Sequence, residues 1–206
     1  GKASLAKTLT AYALKVGRQP IVCTLDPKKP IAGLAPVEGC LAARSMSGGF
    51  LLPSFVDSFA VSPASSPTSP LMYFFGSPDL DSNTERYKEL VVCLGSALAE
   101  REESCRAKGE SPVALNEASS GLIVLGTDKV NNQGLKLHLH AIESLRVNVV
   151  IVLGQDNLYN KLQKKFADDD AVKVIKLPKS GGASKKDGAC KAATVGRCAR
   201  GYFGVE

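Results

Sequence analysis

The run Arg146-Val-Asn-Val-Val-Ile-Val-Leu-Gly154 constrains the chain most. Val147–Leu153 is almost wholly β-branched or leucine and does not alternate between apolar and polar positions. That is the pattern of a strand buried on both faces. Two further apolar runs, Leu122–Leu125 and Val172–Leu177, lie on either side of it in sequence. Segments of helical period at about 135–146 and 156–166 separate the three. Strands alternating with helices predict an α/β fold with a parallel sheet covered on both faces.

The first half adds a helix from Ala3 to about Val16, with Leu5, Leu9, Tyr12, Ala13 and Val16 on one face and Gly17 closing it. A short strand, Pro20–Leu25, ends in Asp26. A longer helix is expected from about Asn83 to Arg101, with Tyr87, Leu90, Val91, Leu94 and Leu98 on its buried side. Residues 26–36 read as turn, 102–119 as polar loop, and the Ser/Pro-rich stretch 62–70 as a surface loop without a core of its own. The 206 residues suit one domain, and the missing initiator Met suggests an excerpt from a longer protein. No apolar run approaches the ~18 residues of a membrane span, so no membrane partner is expected.

The net charge of +6 resides in residues 176–200, which hold seven basic residues against Asp187 alone. A basic, Gly-rich segment suits phosphate or nucleic acid, and equally a solvated tail. The six cysteines form no Cys-x-x-Cys pair and point to a reducing compartment, not to zinc or disulfides. His138 and His140 stand two apart, the wrong spacing for a metal pair on a helix, and read as surface residues. No metal site is expected from them.

Chemistry is suggested at the start of the chain. Gly1-Lys2 directly precedes a helix, as at the end of a GxxxxGK[ST] loop, where backbone N–H groups cradle phosphates and the Lys reaches the β and γ groups. A bare Gly-Lys is common. Its weight comes from order along the chain: a strand ending in Asp26, a later strand Gly121–Leu125 suited to carry a magnesium-holding acid, and a basic segment at 178–200 that could close as a lid. Each has a plainer alternative: Asp26 as a turn cap, the basic segment as solvated surface.

The stretch GKASLAKTLTAYALKVGRQPIVCTLDPKKPI resembles the central domain of the Clp family of polynucleotide 5′-hydroxyl kinases, above all the fungal form that serves in the pre-mRNA 3′-end cleavage factor. LMYFFGSPDLDSNTERYKELV, NVVIVLGQDNLYNKLQKKF and VIKLPKSGG extend the resemblance over most of the chain. It implies a single P-loop domain over 1–206: a three-layer α/β sandwich with a mainly parallel sheet and helices on both faces. Gly1, Lys2, Ala3 and Ser4 then fall in the ATP-binding loop. Asp26 matches the acid that active members place at the RNA 5′-hydroxyl.

Departures accompany the match. Ala3 stands where the family has a magnesium-binding Ser or Thr, Leu125 where it has an Asp, and Lys29 where active kinases have Gln; the nearest acid after Leu125 is Asp128. Phosphoryl transfer depends on positioning and on magnesium at the β- and γ-oxygens. The resemblance therefore implies an ATP-binding assembly subunit of the nuclear cleavage and polyadenylation complex, contacting scaffold subunits and potentially RNA, with an enzymatic role doubtful. The alternative it implies is an active ATP-dependent polynucleotide 5′-hydroxyl kinase.

Overall fold

The computed structural model describes residues 1–31, 34–46, 70–107, 116, 118–182 and 188–203. The Ser/Pro-rich stretch 62–69 and residues 183–187 of the basic segment lie outside them. The elements, in order, are α1 (Lys2–Lys15), β1 (Ile21–Thr24), β2 (Cys40–Ser45), β3 (Leu71–Phe74), α2 (Thr84–Ala107), β4 (Leu122–Leu125), α3 (Asn132–Ser144), β5 (Val149–Leu153), α4 (Asp156–Lys165), β6 (Lys173–Leu177) and α5 (Gly188–Phe203).

One sheet has the order β3-β2-β1-β4. β1 pairs in parallel with β4, Thr24 opposite Leu125, and antiparallel with β2. β5 and β6 form a second, parallel pair. The α/β architecture stands, and its first sheet is mixed, because β2 and β3 run antiparallel.

Side-chain alternation in the strands divides the core into two layers. Cys23, Leu41, Ala43 and Val124 face one side, packed against Tyr87, Val91 and Leu94 of α2 and Leu137 and Ala141 of α3. Val22, Ala42, Ile123 and Leu125 face the other, with Ala6 of α1. Helices thus cover both faces of the sheet. A third cluster joins Ile142 of α3 to Val152 of β5 and Leu162 of α4, so α3 contributes to two cores at once.

Several elements depart from expectation. β2 is an element that no sequence expectation covered, since Ala42 and Ala43 carry little strand preference and are buried by neighbours on both faces. α2 runs on to Ala107, into the expected loop 102–119; Glu102 and Arg106 pair at 2.5 Å along that last stretch, and no Gly or Pro interrupts it. Residues 188–203 are helical in spite of Gly188 and Gly196, with Cys198 buried. His138 and His140 are half-buried, not at the surface, and face the backbone oxygens of Lys129 at 2.9 Å and Lys88 at 3.1 Å.

Gly95 sets how closely α2 meets the end of α3: a Cβ there would lie 2.5 Å from the Ser144 carbonyl oxygen. Because that obstacle is backbone, Gly95→Ala is expected to destabilise the protein by about 1–3 kcal/mol. Gly196→Ala, where a Cβ meets only the tip of Arg200 at 3.9 Å, should instead stabilise α5 by about 0.5–1 kcal/mol. Denaturant melts of the two variants check the contrast.

Candidate nucleotide site at the strand carboxyl ends

In open α/β sheets, ligands bind beyond the carboxyl ends of parallel strands. Here β1 and β4 end side by side, with Leu25 N–H donating to the Leu125 oxygen at 2.9 Å. The turns that follow carry Asp26 and Gly126-Thr127-Asp128. Gly1 adjoins the end of β5, its Cβ position 3.7 Å from Leu153 Cδ1. The start of α1 therefore meets the ends of three strands. The N-cap of α1 is Gly1, which offers no side-chain cap, so the first N–H groups of the helix face this junction.

Lys2 is the hub. Its ammonium donates to the backbone oxygens of Gly126 at 2.6 Å and Thr127 at 2.7 Å, and pairs with Asp128 Oδ1 at 2.6 Å. Three acceptors match its three protons. Burial pushes the Lys2 pKa down to about 8, with the charge of Asp26 working in the opposite direction.

Asp26 is only 8% exposed. Its Oδ1 accepts from Lys28 N–H at 3.3 Å, so the residue does cap its turn. Its Oδ2 is buried with no hydrogen-bond partner among the described residues, the Lys29 ammonium standing 3.6 Å away. Lys29 also pairs with Oδ2 of Asp128. The hydroxyls of Thr24 and Thr127, at the ends of β1 and β4, are likewise buried without a hydrogen bond among the described residues. Buried polar groups are ordinarily satisfied, and two unbonded hydroxyls beside an ion-paired carboxylate leave hydrogen-bonding capacity open at this junction.

The turn after β4 is held firmly. Asn131 caps α3 by accepting from Gly134 N–H at 2.7 Å, and His138 donates to the Lys129 oxygen. Burial holds the His138 pKa below its usual value, with a further push from the Lys2 charge; the hydrogen bond to Lys129 works against both. A side chain at Gly134 would collide with the Lys129 backbone. Tyr87 supports the other turn, its hydroxyl donating to the Leu25 oxygen at 3.0 Å.

Of the residues expected at the site, Gly1, Lys2 and Asp26 come together. Ala3 and Ser4 are on the exposed first turn of α1. Leu125 is 5% exposed and packs with Ala6 and Val22, a core residue and no ligand. Magnesium takes six oxygens in near-octahedral array. Ala3 and Leu125 supply none, Asp26 and Asp128 are both engaged by Lys29, and no group of three or more His, Cys, Asp or Glu among the described residues could hold a metal. The donor set fits phosphate oxygens better than a divalent cation. Thr24, Thr127 and the carbonyls of Gly126 and Thr127 escape sequence reasoning; the signal available was a hydroxyl residue at or just past each strand end.

Comparison with known proteins gives the family. The family model described as "mRNA cleavage and polyadenylation factor CLP1 P-loop" matches residues 1–204. Among similar proteins are mRNA cleavage and polyadenylation factors of Aspergillus clavatus, 30% identical over 98% of this chain and 37% of the relative, and Aspergillus niger, 30% identical over 98% and 44%. The chain thus spans less than half the length of these relatives. Among solved structures, a wild-type Clp1p–Pcf11p complex superposes with a TM-score of 0.75 at 29% identity, over 98% of this chain and 46% of that one. Another, with the same score at 28% identity, concerns an extended Pcf11p–Clp1p interface and the structural basis for ATP loss in a Gly-to-Arg point mutant; it matches over 98% of this chain and 47% of that one. A junction of helix start and strand ends organised around Lys2, in a chain matched almost throughout by one model, places the protein in the CLP1 P-loop family of mRNA cleavage and polyadenylation factors.

Proposed function

We propose that this chain is the ATP-binding domain of a nuclear subunit of the pre-mRNA 3′-end cleavage and polyadenylation complex, and that it holds nucleotide for assembly without transferring phosphate. The observation that carries the reading is Lys2, at the start of α1, beside the buried hydroxyls of Thr24 and Thr127 at the ends of β1 and β4, which have no hydrogen bond among the described residues. The names of the relatives and the ATP loss described for one solved neighbour support it. A protein partner of the Pcf11p kind is part of the proposal, supported by the Clp1p complexes. RNA contact and lid closure by the basic segment 178–200 rest on its charge.

Binding requires an exchange at Lys2. All three of its protons are engaged, so an incoming phosphate must replace one acceptor. Asp128 is the one to leave: it is an exposed side chain, whereas the two carbonyls belong to a braced turn. The first N–H groups of α1 and the Thr127 hydroxyl then add donors to the phosphate oxygens.

The alternative is an active polynucleotide 5′-hydroxyl kinase. What favours it is Asp26, whose buried, unbonded Oδ2 could accept a proton from an attacking hydroxyl. Against it stand Ala3 and Leu125, which leave magnesium without its usual anchors.

Three outcomes follow for the full-length protein. Lys2→Ala should weaken equilibrium ATP binding by about tenfold or more, the worth of a charge-assisted hydrogen bond; equal affinity would remove Lys2 from the site. The pH dependence has a definite sign. The free protein's Lys2 loses its proton near pH 8, while a bound phosphate holds that proton on. Affinity should therefore fall as pH rises through 8 toward 10, and Lys2→Ala should abolish that slope.

Third, radiolabelled ATP and a 5′-hydroxyl RNA oligonucleotide should give no labelled RNA. Turnover by the unmodified protein would establish the kinase in place of the assembly subunit. Ala3→Ser restores the missing hydroxyl on an exposed turn and serves as the companion variant. Leu125→Asp would bury a carboxylate in the core and disrupt the fold instead.

A further inference from the structure

Four charges alternate across the junction in the order Asp26, Lys29, Asp128, Lys2. The set is neutral: Asp128 pairs with Lys2, and the charge of Asp26 favours the protonated form of Lys2. Lys29 stands between them, 3.6 Å from the buried Oδ2 of Asp26 and paired with Oδ2 of Asp128. A divalent cation drawing on both carboxylates would have to displace the Lys29 ammonium, and would meet the Lys2 ammonium beside it.

Lys29 is placed to remain. Its N–H donates to the Asp26 backbone oxygen at 3.3 Å, which ties it to the same turn that presents the carboxylate. The side chain is about half exposed, its head on the side where Asp128 must leave Lys2 for a phosphate to enter. Release of Asp128 frees a position on the Lys29 ammonium as well, because the same carboxylate holds both lysines. Asp26, 92% buried, holds that ammonium at the site through the ion pair at 3.6 Å to its Oδ2.

We propose that Lys29 is the resident cation of the nucleotide site: its ammonium neutralises the terminal phosphates in the place of a divalent metal, so the protein binds free ATP and not its magnesium complex. This rests on the reading of the Lys2 junction as a nucleotide site. Lys2 and Lys29 then grip the phosphates from two sides, while Asp26 and Asp128 limit the charge left when no nucleotide is bound.

Equilibrium binding of ATP to the full-length protein, in excess EDTA and in excess magnesium, is the test. The unmodified protein should bind at least as tightly in EDTA. Lys29→Gln should bind about tenfold more weakly in EDTA and should recover on addition of magnesium, because Asp26 and Asp128 are then open to a metal. Lys29→Arg should behave as the unmodified protein, which separates charge from a defect in folding. Binding by the unmodified protein that collapses in EDTA and returns with magnesium would overturn the role of Lys29 and leave the nucleotide site intact. Lys29→Gln binding like the unmodified protein in EDTA would overturn it too. No ATP binding under either condition would overturn this inference and the nucleotide reading together.

Discussion

The parallel pairing of β1 with β4 is the constraint on which the rest depends. It fixes Thr24 opposite Leu125 and so brings two turns, distant in sequence, to one edge of the sheet. It also makes β1 a strand buried on both faces, with Val22, Cys23 and Thr24 wholly covered. An out-of-register pairing by one residue would send Val22 into the core that belongs to Cys23 and carry Asp26 away from Lys2. Site and core are therefore set by the same register. Cys23 shows the price of that enclosure: burial pushes its thiol up to about 12, so it acts as a small apolar side chain and no nucleophile.

What was legible in the sequence follows from how local each signal is. β5 announced itself through a β-branched run, yet Val149 is exposed and of its residues Val152 alone is buried, so it is not enclosed on both faces. α1 is the expected helix, but its buried residues are Ala6 and Thr10, while Leu9, Tyr12 and Val16 of the expected apolar face are exposed. β2 did not announce itself, because Ala42 and Ala43 have no preference of their own, and only the neighbours on both faces make them a strand. α5 was obscured by its glycines, and the end of α2 by its polar composition, although its ion pair is the kind that lengthens exposed helices.

The site divides along the same line. Lys2 and Asp26 were readable, since one stands at a helix start and the other at a strand end. Two of the three acceptors of Lys2 were not, because they are backbone oxygens of residues more than a hundred positions away. Leu125 shows why a family position predicts less than its surroundings. Its place beside Ala6 gives it to the core, and the acid of this turn is three residues on, at Asp128, engaged by lysines from both α1 and the turn after β1.

Helix α3 lends one flank to the sheet core, through Leu137, Ala141 and Leu145 at its end, and another to the β5–α4–β6 unit, through Leu135, Leu139 and Ile142. It therefore works as a party wall between two cooperative units. In hydrogen exchange, amides of α3 report whichever unit opens last, since the helix keeps one packed flank until both have let go. The turn that presents Asp128 is capped onto this same helix. Its persistence is thus insured twice, whereas a loosening of β5 would withdraw Leu153 from Gly1 on the other side of the junction.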